Sequence, residues 1–88
     1  MDAIQVIELI NRGEGLNVEF KTSFNVVCIE TLVAFANTKG GNLILGVNDN
    51  QRVVGIKLAK ETLQNIVNEI KQKTEPAIVP GVEAFPFR

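Results

Sequence analysis

Glu14, Glu19 and Asp49 are the residues whose type and spacing best suit chemistry. The two glutamates lie five positions apart, and Asp49 follows the apolar run Leu43-Ile44-Leu45-Gly46-Val47. Clustered carboxylates offer hard oxygen ligands to a divalent cation such as Mg²⁺ or Mn²⁺, and a metal so held activates water for attack on a phosphodiester. The same spacing fits a plainer arrangement. Glu14 would then sit in one turn, Glu19 on the polar face of a strand and Asp49 in a second turn.

A second set of residues could meet phosphate oxygens. Lys21, Arg52 and Lys57 are cationic, and Asn37-Thr38-Lys39-Gly40-Gly41 combines backbone N–H groups, two small polar side chains and an ammonium. That segment also reads as the cap of a helix, whose C-terminal end carries partial negative charge and repels anions. The scattered cations equally fit a solvated surface. The net charge is −1, which opposes phosphate binding, but its distribution is uneven. Residues 1–20 carry four acids and one base, whereas residues 21–57 carry four bases and two acids. A phosphate-facing surface is therefore expected from the middle of the chain.

Several chemistries are excluded within these residues. There is no histidine and a single cysteine, so a Ser-His triad, a zinc enzyme and an intramolecular disulfide are ruled out. Cys28 lies in an apolar segment and reads as a small core residue. The stretch Gly40-Gly41-Asn42-Leu43-Ile44-Leu45-Gly46 is neither a Walker loop nor a G-x-G-x-x-G fingerprint, because it lacks the Lys-Ser/Thr ending and leads into a strand. The phenylalanines make no stacking stripe for single strands, and Phe20 and Phe35 read as core.

The elements that must position these groups follow from local pattern. At 88 residues and 45% hydrophobic content the chain fits one domain with one core. No run approaches the roughly 20 apolar residues of a membrane span, and no secretory leader is present, so a soluble, cytoplasmic protein is expected. Asp2 and Gln5 form a capping-box pattern opening a helix to about Arg12, stopped by Gly13. Val18 to Thr22 alternates as a half-buried strand does. Asn25 is placed to cap a helix from Val26 to Asn37, apolar nearly all round and so expected to be central and buried. Gly40-Gly41 stops it, and Asn42 to Val47 reads as a strand buried on both faces. Asn48 to Gln51 is a turn and Arg52 to Ile56 the second arm of a hairpin. The two strands joined through the helix should be parallel, with a right-handed crossover. A last helix is predicted from about Ala59 to Thr74, ended by Pro76, with Ala77 to Phe87 at best an edge strand.

V-E-F-K (Val18 to Lys21), A-F-A-N-T-K-G-G (Ala34 to Gly41), L-I-L-G-V-N-D (Leu43 to Asp49) and V-V-G-I (Val53 to Ile56), in this order, resemble the Schlafen AlbA-type domain over roughly residues 8 to 75. The resemblance implies an Alba-like α+β fold: a small mixed sheet, its first two strands parallel and the next pair a hairpin, with a central helix and two flanking helices. It implies a nucleic-acid-binding module, DNA favoured over RNA, of the kind found N-terminally in prokaryotic transcriptional regulators and ATP-dependent DNA-helicase-related proteins. On this reading Lys21, Asn37, Thr38, Lys39, Arg52 and Lys57 contact nucleic acid, and no cofactor is needed.

Some animal Schlafen proteins use the domain as an endoribonuclease on structured RNA. The resemblance then assigns Glu14, Glu19 and Asp49 as catalytic metal ligands for Mg²⁺ or Mn²⁺. The family domain continues past the proline-rich stretch with further strands, whereas this sequence stops at Arg88. An N-terminal fragment of a longer protein is the resulting expectation, partnered by a C-terminal domain. An open sheet edge, or the first helix, could also pair copies or bind protein partners.

Overall fold

Asp2 opens the first helix as its sequence pattern dictates. Its carboxylate accepts the Gln5 N–H at 2.9 Å, and the Gln5 side chain accepts the Asp2 N–H at 2.8 Å, so two otherwise orphan donors are satisfied. The computed structural model describes residues 1–57, 59 and 61–86. Among these, α1 spans Ala3–Arg12, β1 Val18–Lys21, α2 Val26–Ala36, β2 Asn42–Leu45 and α3 Thr62–Lys73. The fold is α+β. No helix of the described residues is long and apolar enough to cross a membrane.

β1 and β2 pair in parallel, from Val18 opposite Asn42 to Lys21 opposite Leu45. Parallel neighbours need a crossover, and α2 supplies it. Asn25 caps that helix by accepting the Val27 N–H at 3.0 Å. Val18 and Phe20 of β1 turn inward and join Val6 and Ile10 of α1 and Val47 in the core, with Leu9, Ile44 and Phe85 packed against them. Glu19 and Lys21 occupy the other face, half-buried.

Two burial expectations are corrected. α2 buries only Cys28, Ile29 and Phe35, while Val26 is 56% exposed and Val27 and Val33 are exposed as well. β2 is half-buried rather than enclosed on both faces. Both corrections fit one arrangement. α2 packs against β2 of a two-stranded sheet, and no other described helix or strand contacts it as extensively.

The stop after α2 depends on a close approach. A Cβ on Gly41 would lie 2.7 Å from the Phe35 ring and 2.8 Å from the Asn17 carbonyl oxygen. Because Asn17 is backbone-bonded to Asn42 at 2.8 Å, it cannot yield freely. Gly41→Ala is therefore expected to lower stability by about 1–3 kcal/mol, the usual scale of overpacking, read as a lower urea midpoint. An unchanged midpoint would show that the helix end can shift.

Beyond β2 the hairpin is held at its base. Val47 and Val53 form a single antiparallel bridge, Asn48 N–H donates to the Arg52 carbonyl at 3.0 Å, and the Gly46 carbonyl accepts from Val54 and Gly55 at 2.8 and 2.9 Å. The arm from Arg52 to Ile56 does not extend into a ladder. Gly46 and Gly55 both have left-handed φ, +89° and +74°, and a Cβ on Gly46 would meet Gly55 at 3.0 Å, so the backbone turns away from strand geometry there.

α3 starts at Thr62 rather than near Ala59, with the Thr62 hydroxyl accepting the Ala59 N–H at 2.9 Å. Ile70 is its buried anchor. Thr74, buried just past its end, donates to the Ile70 carbonyl at 2.7 Å and accepts the Ile78 N–H at 2.8 Å. No strand forms across residues 77–86; prolines at 80 and 86 deny it donors, and Phe85 instead packs on the core. Phe87, where the expected edge strand ended, lies outside the described residues.

Candidate functional site

The parallel strands finish level with each other, and the chemistry-bearing residues gather just past that end. Gly46 N–H donates to the Lys21 carbonyl at 2.7 Å, which carries the ladder one step beyond β2. A shallow pocket of about 250 Å³ follows, lined by Phe20, Lys21, Thr22, Val47, Asn48 and Asp49. Phe20 and Val47 are buried and form an apolar floor; the other four give a polar rim.

The turn carrying Asp49 is internally fixed. Asn48 Oδ1 accepts the N–H groups of Asn50 at 2.9 Å and Arg52 at 3.0 Å, and the Asn48 carbonyl accepts the Gln51 N–H at 3.0 Å. This is the local side-chain bonding that makes asparagine a turn residue. The exposed Asp49 carboxylate makes no ion pair among the described residues.

The other two candidate carboxylates have partners of their own. Glu14 Oε2 accepts the Phe20 N–H at 3.0 Å, and Gly15 N–H donates to the Val18 carbonyl at 3.0 Å. Together they close the edge of β1 that faces away from β2. Glu19 pairs with Lys21 on the opposite face of the strand, Oε1 to Nζ 3.7 Å, a half-exposed contact worth at most about 1 kcal/mol. Among the described residues no three His, Cys, Asp or Glu side chains are disposed to hold a metal ion. Glu14, Glu19 and Asp49 are not gathered into such a group in this structure, where Glu14 acts as a backbone cap.

That cap is testable. Glu14→Ala should leave the part-buried Phe20 N–H unpaired and cost about 1–3 kcal/mol, while Glu14→Gln, which keeps an acceptor, should cost less. Thermal unfolding of the two variants separates these outcomes. Equal losses would mean that the carboxylate's charge, not its hydrogen bond, holds the edge.

The cationic and polar candidates separate into groups. Lys21 and Arg52 belong to the end of the sheet where the pocket opens. Asn37, Thr38 and Lys39 lie at the other end, between the close of α2 and the start of β2. All three are exposed, but the segment offers no cradle. Asn37 N–H donates to the Val33 carbonyl, those of Thr38 and Gly40 donate to the Phe35 carbonyl, and the Thr38 hydroxyl donates there too, at 3.0 Å. Those donors close the helix instead of meeting an anion. Lys57 is exposed in the segment after the Val47–Val53 bridge.

Three contributors escaped the sequence reading. Thr22 and Asn48 line the pocket, and Asn48 could have been found from its turn chemistry, since Asn-Asp-Asn-Gln is rich in turn formers. Gln51, which reaches the end of α1, gives no local signal.

Residues 14–88 match the family described as Schlafen, AlbA_2. An uncharacterized ATP-binding protein of Ureaplasma parvum serovar 3 is 38% identical over 60 residues, a stretch covering 64% of this chain and 17% of that relative. The chain thus spans under a fifth of the length of this curated relative. No solved structure matches it. The family match takes in both parallel strands, the crossover helix, the Asp49 turn and α3 in one continuous stretch. On that evidence of sequence, and with a fold to suit, the chain belongs to the Schlafen AlbA_2 family.

Proposed function

We propose that this chain is a cytoplasmic nucleic-acid-binding module, DNA favoured over RNA, that serves a larger protein with an ATP-dependent part. The observation that carries the reading is the polar-rimmed pocket at the level ends of β1 and β2, with Lys21 on its rim for phosphate, Thr22 and Asn48 for sugar or base edges, and Arg52 exposed in the adjoining turn. Family membership and the ATP-binding description of the relative agree with it. We place the ATP site outside these residues, whose glycine-rich stretch is neither a Walker loop nor a G-x-G-x-x-G fingerprint.

Charge bounds the strength of binding. Lys21 and Arg52 share this end with Glu19 and Asp49, so the local balance is even and few counterions are released. Binding should be weak and only modestly salt-dependent, with Kd in the range of about 10⁻⁴ to 10⁻⁶ M typical of non-specific contacts. Fluorescence anisotropy with duplex and single-stranded DNA and RNA, at low and physiological salt, tests this. No binding to any of them at low salt would remove the reading; tighter binding to RNA than DNA would reverse its preference.

A further inference from the structure

Gln51 is bonded to a distant part of the chain that the pocket does not use. Its side-chain Nε2 donates to the carbonyls of Ile10 at 2.8 Å and Asn11 at 3.0 Å, in the last turn of α1. The final carbonyls of a helix lack partners within it, so the two hydrogens of one amide suit two of them. Gly13, just past the helix, lies beside this amide: a Cβ there would sit 3.4 Å from Nε2, in ordinary contact. Gln51 also has a left-handed backbone, φ +64°, the only described residue other than glycine to do so. Such a conformation is uncommon for glutamine and persists where surrounding contacts hold it.

These contacts form a continuous support. The Asn48–Arg52 turn is braced internally by Asn48, and Gln51 fastens it to α1. α1 is in turn docked through Val6 and Ile10 on Phe20, the floor of the pocket. Floor and rim are thus referred to one helix. We infer that Gln51 is a positioning residue, whose side-chain amide clamps the Asn48–Arg52 turn to the end of α1 and thereby sets Asp49 and Arg52 against the ends of the parallel strands. The inference rests on the proposed nucleic-acid reading for its purpose, and on the hydrogen bonds alone for its mechanics.

The test uses the full chain with Gln51→Met, which keeps the length of the side chain and loses both donors, and Gln51→Lys, which restores donors toward the helix end. Amide hydrogen exchange should quicken about tenfold at Asn50, Gln51 and Arg52 in Gln51→Met, with the Phe20 amide unchanged, and should slow again in Gln51→Lys. In DNA binding, Arg52→Gln should weaken the otherwise unaltered chain but have a smaller effect in the Gln51→Met background, because an unclamped Arg52 no longer contributes fully. Unchanged exchange in the turn, or an undiminished Arg52 effect, overturns the inference. If the unaltered chain binds no nucleic acid, the functional reading fails, and the clamp is upheld or rejected by the exchange result alone.

Discussion

Phe20→Ala should abolish cooperative folding at or near physiological temperature. The ring is 2% exposed, and it meets Val6, Ile10, Val18 and Val47 in the core. Truncating a buried phenylalanine costs about 3–5 kcal/mol through lost transfer energy and the cavity left behind. A domain of 88 residues has a total stability of only about 4–13 kcal/mol by the usual per-residue range. The loss therefore takes a large share of what is available. Thermal unfolding followed by far-ultraviolet circular dichroism should show either no transition or a midpoint lowered by at least about 12 °C. Phe20→Leu, which leaves a smaller cavity, should fold and melt between the two. A Phe20→Ala midpoint within a few degrees of the unaltered protein would mean that the core is not centred on β1.

The second large effect concerns salt. If the end of the sheet bearing Lys21 and Arg52 is where phosphates are met, the Lys21→Gln/Arg52→Gln double variant should flatten the dependence of log K on log salt by about 0.9 per cation on duplex DNA, and so by about 2 in all. Lys39→Gln, at the opposite end of the strands, should leave the slope unchanged. Anisotropy titrations over several salt concentrations give both slopes. Folding is a small concern in this comparison, because Lys21 is held only by its surface pair with Glu19 and Arg52 is exposed. A flatter slope for Lys39→Gln with none for the pair would move the interface to the close of α2.

What the sequence made legible was local. Asp2 with Gln5, Asn25 before an apolar run and the glycine pair after it mark helix ends through short-range hydrogen bonding, and each is found in place. The alternation of Val18, Glu19, Phe20 and Lys21 likewise gave both the strand and its buried face. Burial of α2 was not legible, because a helix apolar on every side states that it wants cover without stating what provides it. Val53 and Val54 have strand propensity, but the left-handed glycines at 46 and 55 prevail over it. For the site, the Asn48 turn could be read, whereas Glu14 reaching the Phe20 amide and Gln51 reaching α1 are products of tertiary approach. No periodicity encodes them.

The span of the Gln51 clamp also orders the events of folding. Val18 and Asn42 are brought together across a chain segment that α2 shortens by coiling, whereas Gln51 and Ile10 are separated by 41 positions. Closing that longer loop from the open chain would be opposed by more entropy. Once β1 and β2 have paired and α1 has docked on Phe20, the remaining gap is a few residues and the same contact forms at little cost. The clamp is then expected to form late, and stopped-flow kinetics of Gln51→Met should show faster unfolding at a nearly unchanged folding rate. The clamp's strength governs how fast the turn comes loose and leaves the rate of folding nearly untouched.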